Sequence, residues 1–530
     1  MSALATDFGP TPAILGVLLS LGLCLLGYKI LLHPLRNYPG PLVAKFTDGY
    51  AGYFAIKKRL HLVTYRDHLK YGPVYRQAPN RLVFNTSAAL RDIYLNPSVG
   101  KAQIYRHTQF DVHTNIFGEL DRERHRQKRK IYGNVLSERS LRAFEPCMAR
   151  EVDVFLSRLM GSAARVVNMS PLCRHLTADV AGQLAFGQPL KTQTEETNRI
   201  FPRAMVSMNS IVNIFMSWPI LKKAWPLLRR LNKKNGLAFS HTVRSIVNKR
   251  KALPKDARHD FFALVPTDAD SLDEGLKSTE LWAEAIFFLP AGGTTLAAAL
   301  SAVFFYLSRH PGAYATLAAE IRARFASGRD ITAGPRLAGC AYLRATLDET
   351  LRVAPPFTGT FWREPFPDHA DGAPLVVDGR AVPRGTVVGV NPYCVMHNEE
   401  YFPEPFAFWP ERWLGSVDDD EKADGRAAMR AAFAPFAFGE TGCLGKAMAY
   451  HEMSLVVAKT LWYFDFERTP GEAGELGGGR PGDLDGRHRV DEYQLFDHAV
   501  ANHDGPNLVF TPRGDYYRSD NEQALGSLEE

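Results

Sequence analysis

Residues 436–445 read FAFGETGCLG, and residues 446–464, KAMAYHEMSLVVAKTLWYF, continue them with the apolar spacing of a helix. Cys443 therefore stands just before a predicted helix N-terminus. There the helix dipole and the free backbone N–H groups favour the thiolate form of the side chain, which is the form that binds iron. The loop predicts a cysteine ligand to a metal, and a buried structural cysteine is the alternative.

The other residues of this loop suit a flat group lying against it. Glycines at positions 439, 442 and 445 let the backbone turn tightly and allow a planar macrocycle to approach it closely. Phe436 supplies an apolar wall. A thiolate ligand pushes electron density into iron and favours cleavage of the O–O bond. Together these features favour a haem-thiolate site.

Two other segments carry unusual patterns. Residues 281–309 predict a long apolar helix broken by Pro290-Ala291-Gly292-Gly293, where the proline costs about 3 kcal/mol and each glycine about 1 kcal/mol. Such a cost indicates a purposeful distortion, and a kinked core or membrane helix is the alternative. Glu349 and Arg352 form an E-x-x-R sequence whose side chains share one helix face and can form an ion pair.

With these motifs in this order, the chain resembles the cytochrome P450 family, whose cysteine loop follows the pattern F-x-x-G-x-R-x-C-x-G. Phe436, Gly439, Cys443 and Gly445 match that pattern. Thr441 occupies the arginine position, a departure that removes one residue that usually contacts a haem propionate. Phrases such as YGPVYRQAPNRLVF look most like filamentous-fungal members of the family.

The resemblance implies roles for residues of the long helix. Ala291, Gly292 and Thr295 match the family pattern A/G-G-x-D/E-T. This match implies that Ala291 lies beside the haem and that the Thr295 hydroxyl contacts iron-bound oxygen and helps to deliver a proton. Thr294 replaces the usual carboxylate, so we expect the proton to come from water or from another acid.

The resemblance also implies a structural network. Arg412, in the segment Pro410–Trp413, is expected to complete a buried network with Glu349 and Arg352 that holds the cysteine loop and takes no part in the chemistry. Removing one partner from such a network costs about 3–5 kcal/mol, because a buried charge is left unpaired.

Three basic residues are implied to bind the haem propionates: His125, Arg129 and Arg363. His125 and Arg129 are four residues apart and share one face of a helix. The charged run around them is also typical of a solvated face. A second interpretation is a docking patch for an acidic electron donor, formed by Arg122, Arg124, Arg126, Lys128 and Lys130.

Residues 13–32, AILGVLLSLGLCLLGYKILL, predict a transmembrane helix, because about 20 apolar residues cross ~30 Å of hydrocarbon. A cleaved signal peptide is the alternative, but the preceding leader holds an acidic residue and no basic one. Basic residues follow the apolar run, which predicts that the remainder of the chain is cytosolic. We therefore expect a single-pass anchor over residues 1–36 in the endoplasmic reticulum membrane, and a haem-thiolate catalytic domain over residues 37–530.

Composition excludes several other classes of protein. The chain has 530 residues, 45% hydrophobic and 23% charged, which is ordinary for a globular protein. The net charge of +6 is too small to predict binding to nucleic acid. The six cysteines are scattered without a C-x-x-C pair, so neither a disulfide framework nor a zinc site is predicted.

The predicted fold class is mainly α with small β-sheets (α+β), which is also what the cytochrome P450 resemblance implies. Helical periodicity dominates residues 137–350, and short strands are predicted within 74–86, 357–391 and 492–512. Asp378-Gly379 is a strong signal for a hairpin turn.

The resemblance implies a monooxygenase that uses haem b and O2 to insert one oxygen atom into a small, hydrophobic organic substrate, in fungal secondary metabolism or detoxification. Electrons are expected from NADPH through a separate cytochrome P450 reductase, with cytochrome b5 as a further candidate donor. The departures at Thr294 and Thr441 leave two alternatives open: a haem-thiolate isomerase, dehydratase or peroxide-driven enzyme, and a non-catalytic haem-binding membrane protein. Substrate contacts are expected at Phe110–Phe117, near Phe288 and at Phe357–Gly359.

Overall fold

The computed structural model describes residues 11–109, 113–231, 233–258, 260–264, 280–366, 374–415 and 423–517. Within these ranges the chain is mainly helical. The α-helices are α1 (Thr11–Gly27), α2 (Gly49–Ile56), α3 (Leu60–Tyr71), α4 (Ser87–Tyr94), α5 (Arg122–Val135), α6 (Glu138–Met160), α7 (Met169–Phe186), α8 (Ile200–Ser217), α9 (Trp225–Leu231), α10 (Lys233–Lys251), α11 (Phe261–Leu264), α12 (Glu280–Arg309), α13 (Pro311–Arg324), α14 (Pro335–Ala338), α15 (Ala341–Val353), α16 (Pro392–Met396), α17 (Ala423–Ala432) and α18 (Lys446–Tyr463).

The strands are short and lie at the periphery of the helical body. They are β1 (Val74–Ala78), β2 (Arg81–Phe84), β3 (Val99–Lys101), β4 (Val166–Asn168), β5 (Arg363–Pro365), β6 (Leu375–Val377), β7 (Arg380–Val382), β8 (Val387–Val390), β9 (Phe464–Arg468) and β10 (Asn507–Pro512). Strands thus lie within the three segments where the sequence predicts them, and the mainly helical fold class is confirmed.

The largest sheet has five strands in the order β1-β2-β8-β5-β3. β2 and β8 are parallel, whereas the other pairs are antiparallel. The register of β3 and β5 places Lys101 opposite Arg363. A second sheet has the order β4-β10-β9. The predicted hairpin is confirmed as β6-β7, and its turn residues Asp378 and Gly379 both have positive φ.

The core forms around α12, which packs most extensively on α7 and also contacts α8, α15 and α18. Its second half is buried through Leu300, Val303 and Phe304 in the largest cluster of apolar side chains. The prediction of a break at Pro290–Gly293 is wrong, because α12 continues through these residues. Close packing on α7, where Gly293 lies against Ala178, outweighs the poor helix propensity of this segment.

In the described part of the chain, two helices are long and apolar enough to cross a membrane by length and composition. The first spans Ile14–Leu32, has a mean hydropathy of 2.2 and is not buried by the protein. It consists of α1 and a π-helical segment, Tyr28–Leu32. The second, Ala283–Arg309, lies within α12 and is 67% buried, as expected of a core helix.

Candidate active site

The loop that carries Cys443 is held in shape by backbone contacts. The Cys443 N–H donates to the Phe436 carbonyl over 2.8 Å, and the 3-10 helix Gly439–Thr441 closes the loop between them. Gly439 has φ +66°, and a Cβ atom there would lie 2.2 Å from the carbonyl oxygen of Tyr94. Only glycine therefore fits at position 439 without moving the backbone.

Cys443 lies three residues before the first residue of α18, as the sequence predicts. Its side chain is open to an internal cavity, although the residue lies deep within the protein. Burial raises the pKa of the Cys443 thiol, whereas the Gly445 N–H and the charges of Arg129 and Lys446 act in the opposite direction. The groups that favour a thiolate are thus present, but burial outweighs them.

One cavity of about 380 Å³ collects most of the predicted site residues. The predicted residues that line it are Cys443, Thr295, Ala291, Phe436, Gly445, His125, Arg129 and Arg363. The cavity thus brings together a sulfur, a hydroxyl group and a set of basic side chains from α5, α12, β5 and the cysteine loop.

The basic side chains lie along one edge of the cavity. Arg129 donates to the Gly442 carbonyl over 2.7 Å, and Arg363 donates to the Thr441 hydroxyl over 2.6 Å. Thr441, which stands in the family's arginine position, thus draws a different arginine onto the loop. Lys101 lies opposite Arg363 across the β3-β5 pair, an arrangement of like charges that is unfavourable by itself.

The pKa values show the same accumulation of positive charge. Burial and the nearby charge of Arg363 hold the pKa of Lys101 well below its ordinary range. Burial, Lys101 and Arg129 lower the pKa of His125 to about 3. Among the described residues, no carboxylate lies within ion-pair distance of Lys101, His125, Arg129 or Arg363. An anionic group bound at this edge would be stabilised by all four side chains.

The two threonines of α12 differ in their surroundings. The Thr295 hydroxyl donates to the Ala291 carbonyl over 2.6 Å and lines the cavity. The Thr294 hydroxyl donates to the Pro290 carbonyl over 2.6 Å and is buried between helices. Each hydroxyl thus donates its hydrogen bond to a backbone carbonyl in the preceding turn of α12.

Glu349, Arg352 and Arg412 meet in one buried network. Arg352 donates to both oxygens of Glu349 over 2.8 and 2.9 Å, and Arg412 donates to one of them over 3.0 Å. The Trp409 N–H and the Trp413 indole also donate to Glu349, each over 2.9 Å. Burial would raise the pKa of Glu349, but the two arginines and the Trp409 N–H outweigh it and lower the pKa.

This network is joined to the cysteine loop by packing. Arg352 also donates to the carbonyls of Met396, Pro405 and Ala407. The ring of Trp413 lies 4.6 Å from that of Phe433, three residues before the loop begins. The ion pairs therefore act on Cys443 only through intervening structure.

The prediction that Lys128 belongs to a basic surface patch on α5 is wrong. Lys128 is 2% exposed and pairs with the fully buried Glu284 over 2.9 Å. Arg122 and Arg126 are at the surface, where Glu440 partly neutralises both. The His125 side chain lies on the same buried face as Lys128, so the solvated face predicted for this run excludes both residues.

The segments expected to contact substrate do reach the cavity. Phe117, Phe288 and Phe357 line it. Residues 110–112, which belong to the first of these segments, lie outside the described residues.

The polar residues missed from the sequence that line the cavity include Lys101, Asn209 and Glu452. Burial raises the pKa of Glu452 well above its ordinary range. Glu452 follows Cys443 on α18, and its position at helical spacing within an apolar stretch could have indicated a buried acid. No local signal distinguishes Lys101 or Asn209, because the pairings that matter join distant segments.

Comparison with known proteins agrees with this site. The cytochrome P450 family model matches residues 49–476. The chain is 33% identical to the cytochrome P450 monooxygenase poxM of Penicillium oxalicum over 91% of each chain. It is 32% identical to the monooxygenase AKT7 of Alternaria alternata, over 91% of this chain and 94% of that protein. It is 30% identical to the monooxygenase atnE of Emericella nidulans, over 96% of this chain and 99% of that protein.

The chain therefore belongs to the cytochrome P450 family and is an enzyme of its monooxygenase class. The predicted family and fold class are confirmed, and the alternative of a non-catalytic haem-binding protein is excluded. Membership of this family implies a haem-thiolate iron. The residues of the cavity fit that group, because a single cysteine faces a site whose edge carries basic side chains without acidic partners among the described residues.

Proposed function

We propose that this enzyme inserts one oxygen atom from O2 into a small, hydrophobic organic substrate, with haem b bound through Cys443. The observation that carries the proposal is that Cys443 and Thr295 line the same cavity, whose edge is basic and whose remaining wall is mostly apolar. Fungal secondary metabolism or detoxification is the proposed context.

In this proposal Cys443 would hold the haem iron through its sulfur. His125, Arg129 and Arg363 would bind the haem propionates, and Lys101 is a fourth nitrogen donor at the same edge. Ala291 and Phe436 would contact the haem from the cavity wall, and Gly445 leaves room beside the sulfur. The bound haem-thiolate supplies the activation of O2 and the oxidation of substrate.

The protein supplies orientation and a route for protons. Thr295 Oγ1 lines the cavity, and a hydroxyl group can accept a proton from water while it donates its own. We propose that Thr295 uses this property to pass protons to the part of the cavity where O2 would react. Thr294 cannot replace the missing carboxylate, because its hydroxyl is buried and bonded to the Pro290 carbonyl.

Electrons are proposed to come from NADPH through a separate cytochrome P450 reductase, with cytochrome b5 as a further donor. The surface that supports this proposal is the exposed side of α5 beside the cysteine loop, which includes Arg122, Arg126 and Lys130. A basic surface attracts an acidic partner and speeds its association. Lys128 is not part of this surface.

The enzyme is proposed to be a single-pass protein of the endoplasmic reticulum membrane, with residues 1–36 as anchor and residues 37–530 as a cytosolic catalytic domain. The apolar, unburied helix Ile14–Leu32 supports this topology. Exposed apolar side chains at Leu42 and Val43, shortly after the anchor, would also contact lipid.

The ligand assignment is tested by the carbon monoxide difference spectrum of the reduced, full-length protein. The native protein is expected to give the strongly red-shifted band of a thiolate-ligated haem, and Cys443→Ala is expected to abolish it. Cys147→Ala, on α6, is the matched control and should keep the band. Survival of the band in Cys443→Ala would contradict the assignment.

The role of Thr295 is tested by coupling, measured as product formed per NADPH consumed in the presence of reductase. The substrate is first identified from extracts of the producing organism. Thr295→Ala is expected to lower coupling, whereas Ser301→Ala, a buried hydroxyl farther along α12, should not. Unchanged coupling in Thr295→Ala would remove this residue from the mechanism. Product formed without NADPH and reductase would instead favour the isomerase, dehydratase or peroxide-driven alternative.

A further inference from the structure

Among the described residues, the cavity wall formed by α7, α8, α10 and the first half of α12 is apolar except at one position. That position is Asn209 on α8. The residues around it are apolar and include Leu184, Met208, Val212, Phe239, Ile286 and Phe288. A polar side chain in such a wall costs free energy unless its hydrogen-bonding groups find partners.

The hydrogen bond between Asn209 and Thr294 fixes the orientation of the Asn209 amide. The Thr294 hydroxyl lies 2.6 Å from the Pro290 carbonyl, which can only accept, so its one proton is used there. The Thr294 oxygen can therefore only accept from Asn209, 3.1 Å away. The amide must present its nitrogen, Nδ2, to Thr294, and its carbonyl oxygen, Oδ1, points elsewhere.

The Asn209 carbonyl oxygen is left as an acceptor at the cavity. No described residue donates a hydrogen bond to Oδ1, whereas Nδ2 is held by Thr294. A hydroxyl or amide N–H of a bound molecule would satisfy this acceptor. Water can serve it in the free enzyme, but a ligand that displaces the water without replacing its hydrogen bond loses affinity.

Thr294, which accepts the hydrogen bond from Asn209, is adjacent in sequence to Thr295. A ligand group bound to Asn209 is thus held at a set distance from the part of the cavity that Thr295 lines.

We propose that Asn209 is a specificity-determining residue that accepts a hydrogen bond from a hydroxyl or amide N–H group of the substrate, held in position by Thr294. The proposal rests on the proposed function, because it assumes that the ligand lies over a haem bound to Cys443. It gives Thr294, the departure from the family's carboxylate, a role in orienting Asn209.

The proposal can be tested without knowing the substrate. Imidazoles bind haem iron through nitrogen and shift its absorption spectrum. We would titrate the full-length, haem-loaded enzyme with 1-alkylimidazoles of increasing chain length and with the matching compounds that carry a terminal hydroxyl. Iron fixes one end of each ligand, so the hydroxyl samples successive distances along the cavity.

In the native enzyme, the hydroxyl compound of one chain length is expected to bind about 3- to 10-fold more tightly, relative to its alkyl partner, than neighbouring lengths do. Asn209→Leu should remove this maximum. Thr294→Val, which keeps the side-chain shape but not the acceptor, should reduce it. Asn198→Leu, the same replacement at a position that does not line the cavity, should leave it unchanged.

Equal hydroxyl preference in the native enzyme and Asn209→Leu at every length would overturn the proposal, as would a full preference in Thr294→Val. These outcomes leave haem ligation intact, since the imidazole shift itself is still seen. Absence of any imidazole shift in the native protein would instead refute the proposed function, and this proposal with it.

Discussion

Replacing Glu349 with glutamine keeps the shape of the side chain but removes its charge and one of its two acceptor oxygens. The native carboxylate accepts five hydrogen bonds: two from Arg352 and one each from Arg412, Trp409 and Trp413. In the variant, an NH2 group must face donors on one side, and two buried arginines lose their counter-charge. We expect Glu349→Gln to lower the free energy of unfolding by about 3–5 kcal/mol, a large part of the roughly 5–15 kcal/mol typical of a folded domain.

The measurement is urea unfolding of the full-length, haem-loaded protein, followed by far-UV circular dichroism and by haem absorption. Glu138→Gln is the matched control, because Glu138 pairs with Arg142 on the exposed face of α6. Loss of an exposed helix pair of this kind costs about 0.5 kcal/mol or less. The haem signal is expected to be lost at lower urea in Glu349→Gln than in the control.

The pH dependence gives an independent readout. The pKa of Glu349 in the folded protein is lowered from its ordinary value of 4.5. The advantage of the native protein over Glu349→Gln is therefore fully present above pH 4.5 and is lost as the pH falls through the lower, folded-state pKa. A broken buried pair is expected to cost about 3–5 kcal/mol. If the free energy of unfolding of Glu349→Gln lies within about 1 kcal/mol of the native value at neutral pH, this reasoning is refuted.

Two further predictions concern the supports of the site. Gly439→Ala should lower the free energy of unfolding by more than about 1–2 kcal/mol and weaken haem retention, because a left-handed backbone and the Tyr94 carbonyl oppose a Cβ there. Gly312→Ala is the control: its added Cβ meets no other atom, so thermal unfolding should show a neutral or stabilising effect. Lys128→Met should destabilise by about 3–5 kcal/mol through the unpaired Glu284, and adding Glu284→Gln should recover part of the loss in a double-mutant cycle. Additive effects would show that the pair is not coupled.

Local patterns in the sequence predict much of the site. Cys443 before a helix and the E-x-x-R pair at Glu349 are short-range signals, and the structure places both where the sequence does. The sequence also contains a signal that Lys128 points inward, because His125, Lys128 and Tyr132 recur at helical spacing and share the buried face of α5.

Long-range pairings could not be predicted in this way. The register that sets Lys101 opposite Arg363 joins distant strands, and the contact of Asn209 with Thr294 joins two helices. The continuity of α12 through Pro290 likewise depends on packing against neighbouring helices, which intrinsic propensity does not contain. These features follow from tertiary structure rather than from the residues around them.

If haem binds as proposed above, the opposition of Lys101 and Arg363 couples cofactor loading to the completion of folding. Without an anion, the β3-β5 edge carries self-repulsion; a bound dianionic macrocycle converts the same charges into attraction. A ligand that binds only the native state stabilises that state by mass action. In that proposal the apoprotein should open first at this edge, and haem loading should lower the sensitivity of the chain to proteolysis.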